Sequence, residues 1–384
     1  MHNVYIVGAG ATPVAEHWDR TAASLAAEAL AAALGPVDPG RVGALYVANA
    51  LGAALGTQAQ LGPAVAVAAG MCGIEALTVE AGGASGGVAL RQAYLAVAGG
   101  AHDAVAVVGV EKVTDVLDGR LEAALALSAD ADWEGVHGVT PTAQWALLMR
   151  RYMYEYGYSA ADFAPFPVNA HANGAGNRGA LYRFAITAEK VRASGPVADP
   201  IVLLDSPTAA DGAAALLLVN EGLARELGGA PVRIAGSALV TDALALHARR
   251  DPLWLEAAAR SAGAALRAAR LAPAEVDVLE LTDPHAIAAV LTLEACGFAA
   301  RGTGVQLGRE GAITPAGATP LATGGGCKAR GDVVGANGVY QVVELVRQLR
   351  GEAGAAQTPG ARVALAQCLG GIGATAATHV LVRE

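Results

Sequence analysis

Val79-Glu80-Ala81-Gly82-Gly83-Ala84-Ser85-Gly86-Gly87-Val88-Ala89-Leu90 passes from an apolar lead-in through a knot of small residues into an apolar helical run. That order predicts a strand, a tight turn and a buried helix N-terminus. Glycines let the backbone turn where a Cβ would clash. The first N–H groups of the helix have no intrahelical acceptors and face whatever sits at the turn. A side chain on such a turn is well placed as a nucleophile, and the N–H groups as an oxyanion site. Three other stretches carry groups that move protons. Glu280-Leu281-Thr282-Asp283-Pro284-His285 ends a strand beside an acid and an imidazole. Gly325-Gly326-Cys327-Lys328-Ala329-Arg330-Gly331-Asp332 is a glycine turn with mixed charge. Gln367-Cys368-Leu369-Gly370-Gly371 ends an apolar strand on a thiol.

These stretches need a scaffold, and the chain repeats one. Val4 to Val7 reads as a strand running into Gly8-Ala9-Gly10-Ala11-Thr12-Pro13. A dinucleotide fingerprint needs glycine where Pro13 stands, so that site is rejected. Thr21 to Leu34 reads as a helix and Val42 to Val47 as a strand. The same order returns at Val232-Arg233-Ile234-Ala235-Gly236, a helix from Trp254 to Ala269, and a strand ending at Leu281. Pro39, Val42 and Leu45 match Pro273, Val276 and Leu279 at one constant offset. Gly87 sits like Gly338, and Val105 like Val363. Shared order of these matches predicts a duplicated α/β unit. Between the copies, 114–200 holds most of the aromatic residues. There Thr142 to Tyr156 reads as a helix entered through Pro141, and Asn169 to Arg183 as a loop. Ala213 to Val219 reads as a strand rejoining the first copy. The domains are therefore 1–113 with 201–228, 114–200, and 229–384.

The 384 residues suffice for two or three domain-sized units. The 54% hydrophobic content with 49 Gly suits close-packed buried elements. There is no uncharged run of about 18 bulky apolar residues, so no membrane span is expected. Met1 to Val7 shows no basic signal-peptide region, and a cytoplasmic location is the default. The net charge of −9 argues against a general nucleic-acid surface. Cys72, Cys296, Cys327 and Cys368 lie far apart with no C-x-x-C spacing, so neither zinc nor a disulfide framework is expected.

The turn at 80–87 resembles the nucleophile turn of the thiolase superfamily, in its sterol-carrier-protein and archaeal-type branch. The pattern there is Glu-Ala-x-Cys-Ala-Ser-Gly-Gly, with Gly83 here at the Cys position. The layout resembles thiolases as well, and implies a duplicated five-layer αβαβα core with an inserted loop domain. His171-Ala172-Asn173-Gly174, Arg183 and Asp205 to Gly212 look like that family's loop domain and return segment. In the second segment Thr282 replaces the family's His, Asp283 is kept, and His285 stands two residues beyond it. In the third, Asp332 replaces the His of Gly-His-Pro. It is a new base if burial raises its pKa, or it pairs with Arg330 or Lys328; the pairing is preferred. The fourth gives Cys368 the place of the thiol that moves the α-proton.

The resemblance implies a CoA thioester as substrate or ligand, with no permanently bound cofactor. Arg150, Arg151 and Arg183 are the expected cofactor contacts with Gly325 and Gly326. Two readings stand. One is aldol, retro-aldol or enolisation chemistry on an acyl-CoA in lipid metabolism, without an acyl-cysteine. It resembles thiolase relatives that act with a zinc-ribbon and OB-fold partner. The catalytic candidates are then Gly83 N–H and Asp283, with the base ranked Cys368, His285, Asp332. Loss of the cysteine's bulk at Gly83 is expected to leave room for a thioester carbonyl. The other reading is a non-catalytic homologue that binds acyl-CoA or scaffolds a partner acyltransferase. Both imply a homodimer or tetramer, joined through Val105 to Val108 and Thr78 to Ala81.

Overall fold

The structure, a computed structural model, describes residues 2–116 and 119–384. The first copy comprises β1 (Val4–Ala11), α1 (Ala22–Leu34), β2 (Ala44–Ala48), α2 (Leu61–Ala68), β3 (Glu75–Val79), α3 (Ser85–Ala98) and β4 (Ala104–Glu111). Thr21 caps α1 by accepting from Ser24 N–H, as Ser and Thr do at helix starts. β1 runs past Val7 through its glycines because α1 lies directly on them. A Cβ at Gly8 would stand 1.8 Å from the Ala33 carbonyl oxygen.

Next come α4 (Pro141–Tyr156), α5 (Pro165–Gly176) and β5 (Gly212–Asn220). The second copy is β6 (Val232–Thr241), α6 (Glu256–Ala269), β7 (Val278–Leu281), α7 (Ala286–Ala295), α8 (Asn337–Arg350), β8 (Val363–Gly370) and β9 (Thr375–Arg383).

These nine strands form one sheet in the order β3-β2-β4-β5-β1-β6-β9-β8-β7, and Pro196–Ala198 pairs with Ile201–Val202 in a separate two-stranded sheet. The first copy's β2-β4-β5-β1 is repeated as β7-β8-β9-β6. The senses repeat too: β2 and β4 are parallel, as are β7 and β8, and the β4-β5, β5-β1, β8-β9 and β9-β6 pairs are antiparallel, while the extra edge strand β3 lies parallel to β2. β1 and β6 join the copies.

Strand alternation builds the layers. Ala44, Tyr46 and Ala48 face a central core shared with Ala364 and Ala366. Leu45 and Val47 face outward with α1 and α2. Leu365 and Leu369 face α6 and α7 on the other side. α3 and α8 fill the centre, so close that a Cβ on Gly86 would lie 3.0 Å from Gly338. Strands covered on both faces read as near-continuous apolar runs. Among the described residues no helix is long and apolar enough to cross a membrane.

Two expectations change. Residues 169–176 are helical, in α5, rather than loop. Asn169 and Asn173, one turn apart, donate from their side chains to the carbonyls of Ile313, Leu321 and Ala322. Those bonds outweigh the weak helix propensity of Asn and Gly. β4 pairs on both sides, with β2 and β5, so Val105 to Val108 is interior and offers no edge. The free edge of the first copy is β3.

Candidate active site

Gly82 turns with φ +56°, which glycine adopts freely. Ser85 locks the turn: its Oγ accepts from Ala81 N–H at 2.9 Å and donates to the Gly82 carbonyl at 2.6 Å. Gly82 N–H donates to Glu80. Among the described residues, Gly83 N–H has no acceptor. The turn packs on the end of β8 and against Val334–Ala336, just beyond Asp332.

The room expected at Gly83 is occupied. An ideal Cβ there would lie 2.6 Å from the Leu369 carbonyl oxygen. Leu369 is held there by Thr282, whose Oγ1 accepts its N–H at 3.0 Å. Two of the departures from the family pattern, Gly83 and Thr282, thus meet on the backbone of Leu369. Gly83→Cys should therefore destabilise the fold by about 1–3 kcal/mol, as overpacking does. Urea denaturation checks this, and an unchanged midpoint would show that the strand end yields freely.

Asp332 is half-buried. Its Oδ1 accepts from Asn337 Nδ2 at 2.6 Å and Val334 N–H at 2.9 Å. Its Oδ2 has no partner among the described residues. Burial raises its pKa, against the lowering effect of those hydrogen bonds. The expected pairing with Arg330 or Lys328 is absent, because both cations are taken elsewhere. Arg330 bonds Glu344 at 2.9 Å and Asn337 Oδ1 at 2.8 Å. Lys328 donates to the Asp283 carbonyl at 2.7 Å and stands 3.9 Å from Asp205.

His285 is buried at the head of α7, its Nδ1 2.9 Å from the Asp205 carbonyl oxygen. A carbonyl only accepts, so Nδ1 carries the proton and Nε2 is left an acceptor. Burial pushes the ring's pKa down to about 3, so it is neutral. The expected donation by His285 to an oxyanion is therefore unsupported. Asp283 is also buried, and its Oδ1 accepts from Cys327 N–H. A Cβ on Gly326 would lie 2.2 Å from Asp283 Oδ2. Gly325 and Gly326 are buried and shape this cradle rather than an open cofactor surface.

Cys368 faces the central layer. Its Sγ donates to Gln341 Oε1 at 3.2 Å, and Cβ atoms on Gly87 and Gly338 would lie 2.7 and 2.5 Å from it. Burial pushes the thiol up to about 12. Arg150 and Arg151 lie on the exposed face of α4, paired with Asp199 and Glu155. Arg183 is exposed in the segment after α5.

Sequence reasoning missed Glu111, at the end of β4. Its buried carboxyl accepts from Asn49 Nδ2 and from the N–H groups of Ala50, Leu51 and Gly335. It ties the first copy to the turn beyond Asp332. Burial raises it to about 7, even against those bonds. An acid directly after an apolar strand was its only signal. Neither residues 80–87 nor Asp332 line three clefts of about 220–610 Å³ elsewhere on the molecule; Leu369 and Ser128 flank the turn, and Ala81 to Gly83 stay half-buried.

This doubled core with a glycine turn between its central helices is a thiolase fold. The model of the thiolase N-terminal domain matches residues 4–222, and the thiolase C-terminal domain-like model matches 238–383. The chain belongs to the thiolase superfamily. It is 38% identical over 385 residues to an acetyl-CoA acetyltransferase of Methanothermobacter thermautotrophicus, covering 100% of both chains. It is 30% identical to the 17-hydroxy-3-oxo-4-pregnene-20-carboxyl-CoA lyase of Mycobacterium tuberculosis, covering 90% of this chain and 91% of that one. The solved structure of an Ltp2-ChsH2(DUF35) aldolase superposes with a TM-score of 0.88 at 24% identity, over 99% of this chain and 98% of that one.

Proposed function

We propose that the chain binds an acyl-CoA thioester at the Gly83 turn and forms its enolate, in aldol, retro-aldol or enolisation chemistry, rather than transferring the acyl group through cysteine. The observation carrying this is the turn itself. Residues 80–87 contain no nucleophilic thiol, while the Gly83 N–H stays available for a developing oxyanion. Similarity to the mycobacterial CoA lyase supports the same reading.

Asp332 is the base we favour. Cys368 is buried with its thiol pushed up to about 12, and burial holds the His285 ring down at about 3, which leaves its free Nε2 a weak base, whereas Asp332 is only half-buried and keeps one free oxygen. In enolisation its carboxylate takes the α-proton, the C–H electrons pass into the thioester carbonyl, and reprotonation restores the acyl-CoA. In retro-aldol cleavage the same base takes the β-hydroxyl proton, the Cα–Cβ bond breaks, and a carbonyl product leaves the CoA enolate. A zinc-ribbon and OB-fold protein is the partner proposed, and the fold neighbour is itself an Ltp2-ChsH2(DUF35) aldolase.

Acetyl-CoA in D2O should exchange its α-protons, followed by NMR, and Asp332→Asn should slow exchange by about 10²–10⁴-fold. Undiminished exchange in that variant would remove Asp332. No exchange, with or without the partner, would favour a binding or scaffolding homologue. Robust thiolysis would overturn the assignment of Gly83.

A further inference from the structure

A cleft of about 530 Å³ lies along α8 from Tyr340 to Gln348, between the loop after β1 and the loop after α5. That size suits a small-molecule ligand. Arg178, in the loop after α5, and Arg347, on α8, both line it. Neither has a hydrogen bond or ion pair among the described residues, and Arg178 is exposed while Arg347 is half-buried. Arg330, 1% exposed, lines the cleft as well, and its Nε has no hydrogen-bond partner.

Two carboxylates line the cleft against these three cations: Glu344, already bonded to Arg330, and Glu352. The lining is thus net positive in a chain of net charge −9. Pro13, Val343 and the Tyr340 ring add apolar surface. Guanidinium forks match the paired oxygens of carboxylate and phosphate.

We propose that this cleft binds a small organic anion, a carboxylate or phosphate on an apolar body, through Arg178 and Arg347, at a site separate from the Gly83 turn. The proposal does not depend on the reaction assigned to that turn. Isothermal titration calorimetry with benzoate and with inorganic phosphate tests it and separates the two anion types. At least one probe should bind saturably. Arg178→Ala/Arg347→Ala should weaken that binding by about tenfold or more, with circular dichroism unchanged. Arg225→Ala, on an exposed arginine paired with Glu221, should bind as the parent does. Saturating free CoA should leave the probe bound. Absence of saturable binding by either probe, undiminished binding in the double variant, or displacement by CoA would each overturn the proposal.

Discussion

Replacing Arg330 by methionine should cost about 3–5 kcal/mol of stability, the penalty for stranding a buried charge. Arg330 is 1% exposed, Glu344 is 7% exposed and Glu280 is wholly buried. Its guanidinium holds Glu344, caps Asn337 and lies 5.4 Å from the Tyr340 ring centroid. Burial raises the pKa values of Glu280 and Glu344, and Arg330 opposes that rise in both. Without it both carboxyls climb further. A carboxyl whose folded pKa is raised loses stability as pH rises through that value. The penalty should therefore be larger at about pH 8 than at about pH 5. Arg330→Met/Glu344→Leu should recover part of the loss, since it removes the stranded acid as well. Urea denaturation at both pH values decides. A pH-independent penalty below about 1 kcal/mol would show that water reaches the pair, as for exposed ion pairs.

The scaffold was legible because local signals agreed with the global fold. Thr21 and Thr140 each cap a helix that the apolar pattern outlined. The repeat of a strand, a helix and a second strand marks β6, α6 and β7 in the sequence. The site was less legible, because its side chains find partners distant in sequence. Nothing near Asp332 foretells that Arg330, two residues away, turns instead to Glu344. Cys368 could have been placed from alternation alone. It shares parity with Ala364 and Ala366, so it faces the central helices rather than the end of its strand. The crowding of Gly83 by Leu369 joins strand ends from two copies, and no spacing rule reports it.

His285→Asn should be less stable than the parent at neutral pH, yet that deficit should shrink on acidification by about 1.4 kcal/mol per pH unit. The amide replaces the Nδ1–H that donates to the Asp205 carbonyl but cannot take a proton. Burial holds the His285 pKa down at about 3 and that of His379 at about 4, against an ordinary 6.5. For a depressed pKa, the stability contributed is present above the unfolded value and lost as pH falls toward the folded one. The histidine window therefore runs from 6.5 down to about 3. Glu111, raised to about 7, and Asp205, raised to about 6, act in the opposite sense. Their native forms hold protons that the unfolded chain releases, so their stability grows as pH falls. Glu280, Glu344 and Asp332 are raised by burial in the same sense, so these carboxyls oppose the two histidines between about pH 6.5 and 4.5. Below that range the carboxyls are protonated in both states, the histidine terms stand alone, and the parent unfolds in acid. His285→Asn removes one histidine contribution, so its stability relative to the parent should rise as pH falls through that range. Urea midpoints measured across that range test this, and a deficit constant with pH would mean that His285 takes up its proton alike in the folded and the unfolded chain.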